Sequence, residues 1–117
     1  MDDLLEIAGE EPIAVAAITA SEILFALYRA GDARRRRARE LIVERVLAAL
    51  PIVPFDLDAA RAHSRLWSQM AAAGTMIGAH DLLIAATALA GSYRLLTLNT
   101  REFGRVPGLM MAPVPWN

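Results

Sequence analysis

Ile13-Ala14-Val15-Ala16-Ala17-Ile18, then Thr19-Ala20-Ser21-Glu22, then Ile23-Leu24-Phe25-Ala26-Leu27-Tyr28 is the stretch that decides the fold. An unbroken apolar run with no polar alternation predicts a short parallel strand buried on both faces, not a half-exposed edge strand. Thr19 followed three residues later by Glu22 has the spacing of a capping box, so a helix is expected to open there and to end near Gly31. Buried strand, sharp turn and helix form the repeating unit of an α/β domain. The rest of the chain can be read outward from it.

Upstream, residues 3–10 read as a short helix, with Leu4, Leu5, Ile7 and Ala8 as its apolar stripe, stopped by Gly9 and Pro12. Downstream, Asp32 is placed to cap a second helix carrying Arg34-Arg35-Arg36-Arg37 and then Leu41, Ile42, Val46, Leu47 and Leu50, closed by Pro51. Ile52-Val53-Pro54 reads as extended. Asp56 or Asp58 starts a further helix through Leu66, Trp67 and Met70, with Gly74 as its C-terminal glycine. His80-Asp81-Leu82-Leu83-Ile84-Ala85-Ala86-Thr87-Ala88-Leu89-Ala90 is apolar nearly all round, so this helix should be buried, with Gly91 ending it. Tyr93 to Leu98 reads as a strand, 99–104 as a polar turn or short helix, and Leu109 to Ala112 as a last strand. Strands alternating with helices imply a parallel sheet covered on both faces: a three-layer α/β/α domain spanning residues 1–117.

Composition narrows the function classes. The chain has 117 residues, 56% of them hydrophobic and 21% charged, enough for one packed core. A net charge of -1 gives no global field toward nucleic acid or an anionic membrane. The absence of cysteine excludes disulfides, zinc–thiolate sites and thiol catalysis, and fits a cytoplasmic protein. The acidic start Met1-Asp2-Asp3 is no signal peptide, and no apolar run is long enough for a membrane span. All basic residues are arginine. The run Arg34–Arg37 with Arg39 is able to touch RNA phosphates or a partner, but consecutive residues point around a helix, as on a solvated face.

Three polar clusters follow predicted strands or open a predicted buried helix. Asp81 starts an otherwise apolar helix: either a first-turn acid complementing the helix dipole, or a carboxylate at the rim of a dry core whose natural partner is a metal. Glu22 is either the fourth residue of the capping box or an acid at the carboxyl edge of the sheet, where ligands of parallel sheets collect. Thr97, Asn99 and Glu102 lie after another strand, either as a polar turn or as oxygen donors to a metal and its waters. Mg²⁺ or Mn²⁺ held by such oxygens suits phosphodiester hydrolysis, because the ion lowers the pKa of the attacking water and stabilises charge on the leaving oxygen. His63 reads as a helix-surface residue and His80 as a neighbour of the site. Trp67 and Met70 read as core or dimer contact.

Three segments carry a family resemblance in chain order. Ile18-Thr19-Ala20-Ser21-Glu22-Ile23 looks like the segment bearing the glutamate of PIN-domain toxins of the VapC type. Ile77-Gly78-Ala79-His80-Asp81-Leu82-Leu83-Ile84-Ala85-Ala86-Thr87-Ala88-Leu89 resembles the segment bearing their third acid. Leu96-Thr97-Leu98-Asn99-Thr100-Arg101-Glu102-Phe103, with Val106-Pro107-Gly108-Leu109, is similar to their C-terminal motif. The resemblance implies a PIN-like fold and a Mg²⁺-dependent endoribonuclease, the toxin of a toxin–antitoxin pair. Glu22 and Asp81 would be metal-binding acids, Asn99 and Glu102 candidates for a variable fourth position, and Thr97 a support. It also implies an antitoxin partner, an RNA substrate and a homodimer. In that family an opening strand ends in Asp-Thr, Asp-Ser or Asp-Asn, and no segment of this chain matches it. The expectation is a sheet without that strand and its aspartate, gapped at the centre with unpaired backbone groups. A catalytically impaired remnant that binds an antitoxin or dimerises is the alternative reading.

Overall fold

The computed structural model describes residues 12–29, 31–97 and 99–113; the expected helix at 3–10 lies outside them. In chain order the elements are β1 (Ile13–Ala16), α1 (Ala17–Tyr28), α2 (Ala33–Ala49), β2 (Ile52–Val53), α3 (Leu57–Ala73), α4 (Ala79–Gly91), β3 (Arg94–Thr97), α5 (Thr100–Phe103) and β4 (Met111–Pro113). The four strands form one parallel sheet in the order β2-β1-β3-β4.

All four residues of β1 are buried, as the apolar run predicts. Their alternation serves two cores at once. Ile13 and Val15 point to one face, with Ala20 of α1 and Val46 and Leu50 at the end of α2. Ala14 and Ala16 point to the other, with Leu66 and Met70 of α3, Leu82, Ala85 and Ala88 of α4, Leu95 and Phe103. The three-layer α/β/α arrangement follows, because each face of the sheet needs an apolar helix stripe over it.

The helix ends mostly obey their local signals. Asp32 caps α2, accepting from the amides of Arg34 at 2.8 Å and Arg35 at 3.4 Å. Asp56, not Asp58, caps α3 by accepting from the Ala59 amide at 2.9 Å. Gly74 closes α3 in the left-handed region at φ 71°, where glycine costs least. Gly91, by contrast, is the last helical residue of α4, and Ser92 takes the left-handed cap at φ 54°. Glycine is needed at 91 for another reason: a Cβ there would lie 2.8 Å from the Tyr93 ring.

Two expectations need correction. The capping box at Thr19–Glu22 does not form. Helix α1 starts two residues earlier than that motif, with Ala16 at the N-cap and no side-chain cap bond. Ala17 and Ile18 suit a buried strand and a buried helix equally, so the apolar run did not mark where one becomes the other. The sheet also has no central gap. β1 and β3 pair directly, Ile13 with Arg94 and Ala14 with Leu95, and the Arg94 amide donates to the Pro12 carbonyl at 2.8 Å. Backbone groups left open between two strands are costly when buried, and direct pairing removes that cost.

Candidate active site

Early initiation of α1 releases Glu22 from any capping role. It stands in the second turn of α1, beyond the carboxyl end of β1, and its side chain lines a cleft of about 310 Å³. Asp81 in the first turn of α4 lines the same cleft, as do Thr97 and Asn99 at and just after the end of β3. The two strands that deliver these segments are paired neighbours, so their carboxyl ends open at the same place. Four of the five sequence-selected residues therefore share one cleft. The fifth, Glu102 in α5, is not part of its lining but acts on Asp81 electrostatically.

Hydrogen bonds order one side of the site. The Asn99 backbone N–H donates to Thr97 Oγ1 at 2.9 Å, and Asn99 Nδ2 donates to Asp81 Oδ2 at 3.3 Å. An ionised carboxylate only accepts, so the amide nitrogen of Asn99 must face it. Asn99 thus meets Asp81 as a donor. Its own amide oxygen points elsewhere.

Charge at the site is unbalanced. Burial raises the Asp81 carboxyl above its usual value of 3.8, the nearby Glu102 carboxylate raises it further, and His80 opposes both. Ionising Asp81 therefore costs folded-state stability. The contribution of this group is full at pH below its ordinary value and is lost as pH rises through the raised one. Glu102 Oε2 is buried with no hydrogen-bond partner. An Asp81 carboxyl whose ionisation is disfavoured, beside a Glu102 carboxylate with an orphaned oxygen, offers all-oxygen donors of the kind a hard divalent cation takes. Among the described residues no group of three His, Cys, Asp or Glu is placed to hold one ion. An ion held here would rest on few protein ligands and complete its shell with water.

The sequence reading missed the rest of the cleft. Thr19 lines it, though its motif suggested a cap, and Ile23, Ala26, Ile84, Leu96 and Phe103 form an apolar wall. Glu22, Ile23 and Ala26 stand three, four and seven residues after Thr19, one helix face, a signal that could have found them once the helix start was known. Leu96 and Phe103 carry no such signal; only tertiary packing brings them there.

A short parallel sheet with acids gathered at its carboxyl edge is the architecture of a PIN domain, and the PIN domain profile matches residues 2–109. A ribonuclease VapC of Rickettsia bellii is 35% identical over 98 residues, covering 84% of this chain and 73% of that protein. The tRNA(fMet)-specific endonuclease VapC of Salmonella typhimurium is 28% identical, over 81% of this chain and 70% of that one. Among solved structures, VapBC2 from Rickettsia felis bound to a DNA fragment from its promoter superposes with a TM-score of 0.76 at 26% identity, covering 97% of this chain and 83% of that chain. FitAcB from Neisseria gonorrhoeae superposes at 0.72 with 25% identity, covering 89% and 76%. The chain belongs to the PIN-domain family, as a toxin of the VapC type.

Proposed function

We propose that this chain is a metal-dependent endoribonuclease, the toxin of a type II toxin–antitoxin pair, and that it hydrolyses RNA phosphodiester bonds. One observation carries the reading: Glu22 and Asp81 line one cleft at the carboxyl edge of the sheet, and Asp81 is under electrostatic pressure that a cation would relieve. The names of the relatives, ribonuclease and endonuclease, support the same reaction class. Structures of relatives in VapBC assemblies support an antitoxin partner. The homodimer and the cytoplasmic location follow from the family resemblance. No helix among the described residues is long and apolar enough to cross a membrane.

Each residue has a defined task in this reading. Glu22 and Asp81 would hold Mg²⁺, or Mn²⁺ in its place, by carboxylate oxygens, with water completing the shell and Asn99 or Glu102 as the candidates for a variable further position. When bound, the ion supplies an activated water and stabilises charge on the leaving oxygen. Asn99 fixes one oxygen of Asp81 by donating to it and leaves the other free, and Thr97 fixes Asn99. The apolar wall of Ile23, Ala26, Ile84 and Phe103 limits water in the cleft, which strengthens every charge interaction inside it. The test is RNA cleavage with and without Mg²⁺, in the wild type and in Asp81→Asn. Cleavage is expected to fall at least about 100-fold, the scale of losing one transition-state charge partner. The same substitution removes a strained charge, so thermal stability without metal should stay level or rise. Unchanged cleavage in Asp81→Asn, with no change in its response to Mg²⁺, rules out this cleft as the seat of the activity.

A second reading, a silent domain that binds an antitoxin or pairs with an intact toxin, is favoured by the spread of the acids, which do not gather three to a point among the described residues. It predicts antitoxin binding with no cleavage at any metal concentration.

A further inference from the structure

Helix α1 does not end at the cleft. Glu22 lines it, and Arg29, seven residues on, is two helical turns further along the same side, about 10 Å away. Between them Phe25 is 60% exposed, and Tyr28 beside it is 73% exposed. The Arg29 guanidinium lies over the Phe25 ring, 5.6 Å from its centroid. After the turn, α2 continues outward. Residues 31–42 are all exposed, and the first buried residue of the helix is Val46. This projecting part carries the arginine run. Arg34 and Arg37 border a surface hollow floored by Ala33, Ala38 and Leu41.

A solvated helix normally balances such a run with acids three or four positions away. Here Asp32, Glu40 and Glu44 are on hand, yet among the described residues no ion pair engages Arg29, Arg34, Arg35 or Arg37. Arg34 to Arg37 also occupy the first turns of the helix, where the backbone dipole disfavours cations, and no acid stands in the first turn of α2. The charge of Arg29, Arg34, Arg35 and Arg37 is thus concentrated and without an ion-pair partner among the described residues, on the helix that lines the cleft and the one that follows it.

We propose that the outer side of α1 and the projecting half of α2 form a binding strip for single-stranded RNA that leads the strand into the cleft at Glu22. This rests on the ribonuclease reading above. Phe25 and Tyr28 supply faces on which bases stack, and Arg29, Arg34, Arg35 and Arg37 neutralise successive phosphates. An acidic protein segment would also suit the arginines. Exposed aromatics set among cations favour nucleic acid, because every base offers a ring face to them, and stacking with phosphate contact is the usual basis of single-strand binding.

The test uses the full chain carrying Asp81→Asn, without divalent metal, and a fluorescent oligouridylate of about 12 nucleotides, within the span of single-strand binding sites. Anisotropy gives the affinity across a salt series, and circular dichroism checks the fold of each variant, the residues substituted beyond Asp81 all being exposed. Phe25→Ala with Tyr28→Ala is expected to weaken binding about 10- to 100-fold, the range for losing a stacked base. Arg34→Ala with Arg37→Ala should weaken it and flatten the slope of log affinity against log salt by about 1.4, roughly 0.7 for each single-strand phosphate released. Affinities within twofold of the parent in both double variants overturn the strip. So does a protein that binds a polyglutamate peptide with the same arginine dependence but no oligouridylate, which would assign the face to an acidic protein partner. The ribonuclease reading is judged separately, by cleavage with the wild-type residue at 81. Loss of that reading with binding still dependent on the two double variants would leave the strip standing.

Discussion

Helices α2 and α4 show two different ways of holding a helix. Six of the thirteen residues of α4 are buried, and it fits against the sheet and α3 as an apolar rod. Of the seventeen residues of α2, only Val46 is buried, and its first turns rest on a single capping aspartate. The first is fixed by packing and is part of the core. The second is fixed by local hydrogen bonds at one end and by Val46 and Leu50 at the other, with a stretch of solvent-facing arginine between. Core and exposed surface make different demands on sequence, and the acids at the site stand where the two meet: Asp81 at the start of the buried rod, Glu22 on the helix that leads to the exposed one.

The contrast can be broken in measurable steps. The largest effect on stability should come from Leu82→Ala in α4, about 2–5 kcal/mol for a truncated core leucine, whereas Leu41→Ala in α2, at a residue 63% exposed, should stay within about 0.5 kcal/mol. Comparable losses in chemical denaturation would show that α2 is part of the core after all. Next is Gly91→Ala, expected to cost about 1–3 kcal/mol because the new methyl meets the Tyr93 ring. No loss would mean that the ring moves freely. Asp32→Ala should cost about 1 kcal/mol, and the loss should be local: amide exchange at 33–37 speeds up while that of α4 is unchanged. The smallest effect is expected from Tyr93→Phe. The Tyr93 hydroxyl is buried without a partner, so its removal should be neutral or stabilising. Burial pushes this phenol from 10.0 up to about 12, so its contribution to stability is full below pH 10 and is lost as pH rises towards 12. That alkaline loss should be absent from the phenylalanine variant.

Much of this was legible in the residues because local chemistry decided it. Asp32, Asp56 and Gly74 each satisfy or close a helix end within a few positions of themselves, and the structure uses all three. Asp81 stood out because an acid beginning an apolar helix needs a reason, and the structure gives it a partner in Asn99 and a pressing neighbour in Glu102. What stayed hidden was non-local or degenerate. Ala17 and Ile18 read equally as strand and helix, so Glu22 was given a cap it does not make. The pairing of β1 with β3 depends on contacts across most of the chain, which no window of sequence contains. Gly91 looked like a helix stop, whereas it makes room for a ring two residues away.

The pairing order of the sheet also bears on synthesis. β1 is the first described strand to leave the ribosome, yet it sits between β2 and β3, and residue 13 finds its partner only when residue 94 has been made. Until then the strand is an apolar ribbon with one open edge, and before β2 arrives it has two. Long-range parallel pairing is slow to form, and open strand edges are where nascent chains adhere to one another. During translation a strand open to misassociation is therefore one whose four residues are all buried in the finished domain.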